Sequence, residues 1–141
     1  MELEELYQDI LLDHFRHPRH FAVLQPEEVL VDEENPTCGD HIRLTARVEQ
    51  GKIADVRYDG KGCAISMASA SMMAEQLVGM GLVEARAKIL EFIAILRGEK
   101  KPDLDAMGDA AALAGVRQFP LRVKCATMSW HALEKALNKL A

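Results

Sequence analysis

Ile42-Arg43-Leu44-Thr45-Ala46-Arg47-Val48-Glu49-Gln50-Gly51 is the stretch that decides the fold. Ile42, Leu44, Ala46 and Val48 fall on one side of a period-two pattern, and Arg43, Thr45, Arg47 and Glu49 on the other. A β-strand with one buried face has this alternation. Gln50-Gly51 makes a turn, and Ile53, Val56 and Tyr58 continue a second strand less regularly. The pair reads as an antiparallel hairpin. Upstream, Val29–Glu33 reads as a short strand. Asn35-Pro36-Thr37-Cys38-Gly39-Asp40 is turn chemistry throughout, which puts Cys38 on a loop. Downstream, Asp59-Gly60-Lys61-Gly62 reads as a turn into Cys63.

The flanks are helical. Leu3, Leu6, Tyr7, Ile10, Leu11, His14 and Phe15 lie on one helix face. That helix must stop near His17-Pro18, because a residue before proline disfavours helical angles. From Ala64 to Leu77 the chain is rich in small residues, which permits close helix packing, and Gly79 and Gly81 end the helix. Leu82, Ala85, Ile89, Phe92, Ile93 and Leu96 mark another helix, stopped by Gly98. Gly98–Gln118 is a mixed insert with a short helix expected over Ala110–Ala114. Pro120 suits the first turn of a last helix. Val123, Ala126, Trp130, Leu133, Leu137 and Leu140 give that helix its core stripe. A strand meander followed by helices implies an α+β fold: one antiparallel sheet of about three strands with helices on one face. No linker or repeat divides residues 1–141, so a single domain is expected.

Composition excludes several functions. The 141 residues are 49% hydrophobic and 28% charged, an ordinary globular balance. With 17 Lys+Arg against 22 Asp+Glu the net charge is −5, which argues against a nucleic-acid partner. One Trp, two Tyr and four Phe offer few stacking platforms for single strands. No apolar run approaches the roughly 20 residues of a membrane span. The start, Met1-Glu2-Leu3-Glu4-Glu5, is acidic and lacks the basic region of a signal peptide. A cytoplasmic protein is expected. Its three cysteines, an odd number, then read as metal ligands, nucleophiles or core residues rather than a disulfide framework.

Each cysteine falls at a junction: Cys38 on a turn, Cys63 where sheet hands over to helix, Cys125 in the first or second turn of the last helix. Helix starts at Cys63 and Cys125 would favour thiolate over thiol. Gly39 permits a sharp bend, so Cys38 and Asp40 can present a sulfur and an oxygen to one ion. Three thiolates and a carboxylate suit four-coordinate Zn²⁺, with a formal charge of +2 − 4 = −2. Three sulfurs equally suit an iron–sulfur cluster. Arg122 and Lys124, beside Cys125, can offset the excess negative charge. No CxxC pair is present, and spacing alone is equally compatible with three unrelated buried thiols.

The surrounding residues add specificity. Asn35-Pro36-Thr37-Cys38-Gly39-Asp40, Gly62-Cys63-Ala64-Ile65-Ser66 with Ala68-Ser69, and Arg122-Val123-Lys124-Cys125-Ala126 resemble the three cysteine motifs of the IscU-like proteins of iron–sulfur cluster assembly. The resemblance covers nearly the whole chain. Lys124 stands where the scaffold type has His, and the Gly98–Gln118 insert and Phe119–Cys125 resemble the SufU branch. The resemblance implies an IscU/SufU-like fold and zinc held by Cys38, Asp40, Cys63 and Cys125. It further implies sulfur accepted on Cys38 from a SufS-type cysteine desulfurase and relayed to other iron–sulfur assembly proteins, a sulfurtransferase-like role. The alternative is an IscU-type scaffold carrying iron or a nascent [2Fe–2S] cluster on the same ligands. Cys38, on its Gly/Pro-flanked loop, is the ligand expected to leave when a partner side chain such as His replaces it.

Other residues read more plainly. His14, His17 and His20, spaced three apart around Pro18, suggest a helix end with solvated or capping His rather than a second metal site. His41 reads as a strand-start residue and His131 as helix surface or core edge. Met67, Met72, Met73 and Met80 at helical spacing read as core filling.

Overall fold

The computed structural model describes residues 3–140, so Met1 and Glu2 of the acidic start and the final Ala141 lie outside the described residues. Five helices and three strands run in the order α1 (Leu3–Arg16), β1 (Val31–Asn35), β2 (Asp40–Glu49), β3 (Lys52–Lys61), α2 (Ala64–Leu77), α3 (Leu82–Leu96), α4 (Leu104–Met107) and α5 (Pro120–Leu140). The strands form one antiparallel sheet in the order β1-β2-β3. Ile42, Leu44 and Ala46 are buried while Arg43, Thr45 and Arg47 are half-exposed or exposed, as the alternation requires. The irregular β3 pattern has a physical cause. A register shift between Arg47 and Val48 switches the facing parity, so Ile53 and Val56 can both point inward.

Two boundaries differ from the sequence reading. The first strand lies two residues later than Val29–Glu33, and Asn35 pairs with Asp40. Cys38 therefore rides on the four-residue hairpin loop 36–39, with Gly39 at φ +71. Asp59-Gly60-Lys61 is not a turn: it continues β3. Gly60 adopts φ +137, and a Cβ there would overlap the His41 backbone carbonyl on β2. Only glycine lets the two strands close at that point.

The helices cover one face of the sheet. α5 packs on β1 and β2, α2 on β3 and α5, α1 on α2, and α3 on α5. α2 is buried nearly all round, including Ala68, Ser69, Ala70, Ser71, Met72, Met73 and Ala74. Its small side chains let α1 and α5 approach from two sides. The methionines are core, as read: Met72 and Met73 are buried, and Met67 and Met80 pack against the core. Trp130 of α5 stacks on Phe92 of α3 with centroids 3.9 Å apart, and its indole N–H donates to Ser69 Oγ at 2.9 Å. On α5 the expected stripe is buried from Ala126 to Leu137, whereas Leu140 is exposed.

α1 buries less than its periodicity implies. Tyr7, Ile10, Leu11 and His14 face inward, but Leu6 and Phe15 are exposed. The insert folds as α4, capped by the Asp103 carboxylate, and then a 3₁₀ helix over Gly108–Gln118. The expected Ala110–Ala114 helix is thus 3₁₀, and Ala110, Ala111, Leu113 and Ala114 are buried. Among the described residues no helix is long and apolar enough to cross a membrane.

Candidate metal centre

The β1–β2 hairpin, the start of α2 and the second turn of α5 meet at one end of the sheet. Cys38, Asp40 and Cys125 bring a ligand atom each to within 4.8 Å of one another. The two sulfurs are 2.9 Å apart, with the Cys125 thiol donating toward Cys38 Sγ. Cys38 is half-buried, and Asp40 and Cys125 are buried. The Cys125 sulfur also takes a weak contact at 3.7 Å from the Asn35 amide and faces the Leu121 carbonyl at 3.8 Å.

Asp40 shows what the site lacks. Its Oδ1 accepts the Cys63 backbone N–H at 2.9 Å and the Ser66 hydroxyl at 3.2 Å. Its Oδ2 is buried with no hydrogen-bond partner. An uncompensated buried carboxylate oxygen costs several kcal/mol unless a cation meets it. Gly62 makes room for this carboxylate, because a Cβ there would stand 2.5 Å from Asp40 Oδ1 and overlap Ser66 Oγ. Burial, and then the neighbouring Cys38, Asp40 and Cys63, push the Cys125 thiol well above its ordinary pKa. A cation among these groups would reverse that shift. The donor set therefore fits a divalent metal.

The fourth expected ligand stands apart. Cys63 is the N-cap residue of α2, as the sequence suggested, but its sulfur lies outside the 4.8 Å grouping and faces Ser66 Oγ at 3.8 Å. The helix-end argument also fails for Cys125. That residue lies beyond the first turn with its free amides, so burial dominates. Arg122 and Lys124 are exposed on opposite flanks of Cys125. Arg122 borders a hollow of about 630 Å³ with Cys63, Ile65 and Phe119. Lys124 borders a cleft of about 570 Å³ with Asn35, Thr37 and His131. His131 is half-buried, and burial followed by the Arg97 charge lowers its pKa. Sequence reasoning assigned no role to Asn35, Gly62 or Ser66. The signal was present as small or polar residues beside each cysteine, within the quoted motifs.

The other histidines part company. His41 pairs with Asp32. His17 is exposed beside Asp13, and His20 lies 3.9 Å from Asp55. His14 is neither solvated nor capping: it is fully buried. Its Nδ1 is 2.7 Å from Ser71 Oγ and its Nε2 2.7 Å from Asp109 Oδ2. His14, Glu75 and Asp109 form a second convergence of ligand-type atoms. There the needs are already met, with the Arg19 guanidinium 3.0 Å from Glu75 and both ring nitrogens of His14 engaged.

Comparison with known proteins gives the family. The model of the NifU-like N-terminal domain matches residues 6–126. The chain belongs to that family. It is 43% identical over 137 residues to the zinc-dependent sulfurtransferase SufU of Bacillus subtilis, covering 97% of this chain and 92% of that protein. It is 40% identical over 140 residues to the iron–sulfur cluster assembly scaffold protein IscU of Streptococcus pyogenes, covering 99% and 87%. Among solved structures, a putative iron–sulfur cluster assembly scaffold protein for the SUF system from Fervidobacterium islandicum superposes with a TM-score of 0.80 at 30% identity, covering 96% of this chain and 99% of that one. The IscU/SufU-like fold expected from the motifs is thus the fold of this family member.

Proposed function

We propose that this chain is a zinc-dependent sulfurtransferase of iron–sulfur cluster assembly. In this reading it takes persulfide sulfur onto Cys38 from a SufS-type cysteine desulfurase and passes it to other assembly proteins. The observation that carries it is the buried, unpartnered Asp40 Oδ2 beside two sulfurs that stand 87 residues apart in the sequence. The 43% identity to the Bacillus subtilis sulfurtransferase supports the same reading. Cys38, Asp40 and Cys125 would hold the ion, with Cys63 as the fourth donor, its backbone already tied to Asp40. Zn²⁺ would supply a redox-inert charge that keeps the sulfurs as thiolates.

The chain's own residues divide the work. Cys38 sits half-buried on its hairpin loop, so it alone of the clustered ligands can meet a partner's persulfide. Its sulfur attacks the outer sulfur: a Cys38–sulfur bond forms, the donor's sulfur–sulfur bond breaks, and the donor leaves as thiolate. Arg122 and Lys124, exposed near Cys125 in the sequence, would offset the excess negative charge of the ligand set. Asp40 and Cys125, buried on β2 and α5, stay as the fixed floor.

Sulfur transfer with purified desulfurase tests the proposal. Cys38→Ser is expected to keep part of its zinc yet lose persulfide labelling, and labelling that persists on Cys63 or Cys125 overturns the assignment. The second reading, an IscU-type scaffold for a [2Fe–2S] cluster, is favoured by the 40% identity to the Streptococcus pyogenes protein. Metal analysis separates the two. One zinc per chain in a colourless protein supports transfer, and a brown protein that passes on a reconstituted cluster supports the scaffold.

A further inference from the structure

The same geometry has a chemical consequence for a chain without its ion. Cys125 Sγ lies 2.9 Å from Cys38 Sγ, whereas the Cys63 sulfur is turned to Ser66. A persulfide on Cys38 keeps its inner sulfur at the Cys38 Sγ position. The outer sulfur is the added atom. Cys125 therefore abuts the inner sulfur, which is the one whose attack expels the cargo. We propose that Cys125 is a resolving thiol: in the metal-free chain it attacks the inner sulfur of a Cys38 persulfide, closing a Cys38–Cys125 disulfide and releasing hydrogen sulfide.

The step balances without an added oxidant. Cys38–S–SH and Cys125–SH become Cys38–S–S–Cys125 and H₂S. The Cys125–Cys38 sulfur bond forms, the bond between inner and outer sulfur breaks, and the outer sulfur leaves as sulfide with the Cys125 proton. The outer sulfur is reduced, and the two cysteine sulfurs end as a disulfide. Cys125 is fixed in a buried helix, but Cys38 is on the four-residue loop 36–39, so closing the gap moves the loop and not the core. A thiolate committed to a cation is a poorer nucleophile, so metal loading decides between carrying sulfur and discharging it. An emptied site would then lock itself in a form that offers neither thiol to a new ion.

This inference rests on Cys38 as the sulfur-bearing residue, and its test is independent of the desulfurase. Reduced protein, zinc-loaded or stripped with a chelator, is treated anaerobically with inorganic polysulfide and followed by intact mass and peptide mapping. A stripped sample without polysulfide is the control. In the stripped wild type the expected product has lost two hydrogens and maps to a Cys38–Cys125 cross-link. Stripped Cys125→Ser is expected to gain one sulfur on Cys38 and hold it, and Cys63→Ser to cross-link like wild type. Zinc-loaded wild type is expected to keep the added sulfur, with cross-linking at least about tenfold slower. A persulfide that persists in the stripped wild type, a cross-link to Cys63, or equal rates with and without zinc overturns the proposal. Failure of desulfurase transfer alongside a metal-gated cross-link would instead count against the proposed function alone.

Discussion

Two clusters of ligand-type side chains occupy this molecule, and they differ in what they leave unmet. At the hairpin end, Asp40 Oδ2 is buried without a partner and two thiols crowd together. Beneath α1, His14 is buried as deeply, yet Ser71 and Asp109 engage its two nitrogens and Arg19 engages Glu75. Both contain three candidate ligands, and only the first has a deficit that a cation would fill. Residue type and proximity therefore do not define a metal site. What sets the first apart is an unpaired buried carboxylate oxygen among its ligand atoms, since a native interior rarely leaves a polar group without a partner.

The sharpest way to break this comparison is to delete a ligand at each cluster. Cys125→Ser and Asp40→Ala are each expected to weaken zinc binding by at least the 10–100-fold that loss of an outer partner costs. Glu75→Gln and Asp109→Asn are expected to leave zinc content unchanged. Competition with a zinc chelator reads both, and a matching loss at Glu75 would erase the distinction.

A backbone test comes next. Gly60→Ala meets the His41 carbonyl at a positive φ, so a loss of about 3 kcal/mol is expected in urea unfolding. Because β2 carries Asp40, zinc affinity should fall with it. Unchanged stability would mean that the strands can part there without cost. His14→Leu is expected to cost about 2 kcal/mol by removing the hydrogen bonds of the buried ring to Ser71 and Asp109, with zinc affinity intact, in the same unfolding measurement.

The smallest expected effect concerns a third, fully paired acid. Asp59 is buried between Arg43, at 2.6 and 2.8 Å, and the Leu24 amide at 2.7 Å. Burial alone would raise its pKa, but the guanidinium and the amide outweigh burial and hold it below the ordinary carboxylate value. A depressed folded-state pKa adds stability above the unfolded value of about 3.9, and this is lost as pH falls through the folded value. Wild type is therefore expected to exceed Asp59→Asn by about 1–2 kcal/mol at neutral pH, with the gap closing below about pH 4. Thermal unfolding across that range reads it, and a gap independent of pH would show that charge is not what Asp59 contributes.

What the sequence made legible was local. Alternation from Ile42 to Val48 placed the sheet, Cys63 marked the start of α2, Gly98 the end of α3, and Pro120 the start of α5. Each depends on a few neighbouring residues. The bulge at Arg47/Val48, the φ of Gly60 and the continuation of β3 through Lys61 depend on the partner strand. His14 was misread because its partner Asp109 is 95 residues away. At the metal centre, three of the four expected ligands converge, and the fourth differs by where one side chain points. The division of Asp40 into a satisfied and an empty oxygen needed the fold, because it depends on Gly62, just after β3, and Ser66 of α2 arriving beside it.

Trp130 is the chain's one tryptophan, and it stacks on Phe92 in the core. It sits five residues beyond Cys125 on α5, about 7.5 Å along the axis. The helix that carries Cys125 thus holds an intrinsic fluorophore in the core packing, so its unfolding can be followed in unlabelled protein by ultraviolet emission.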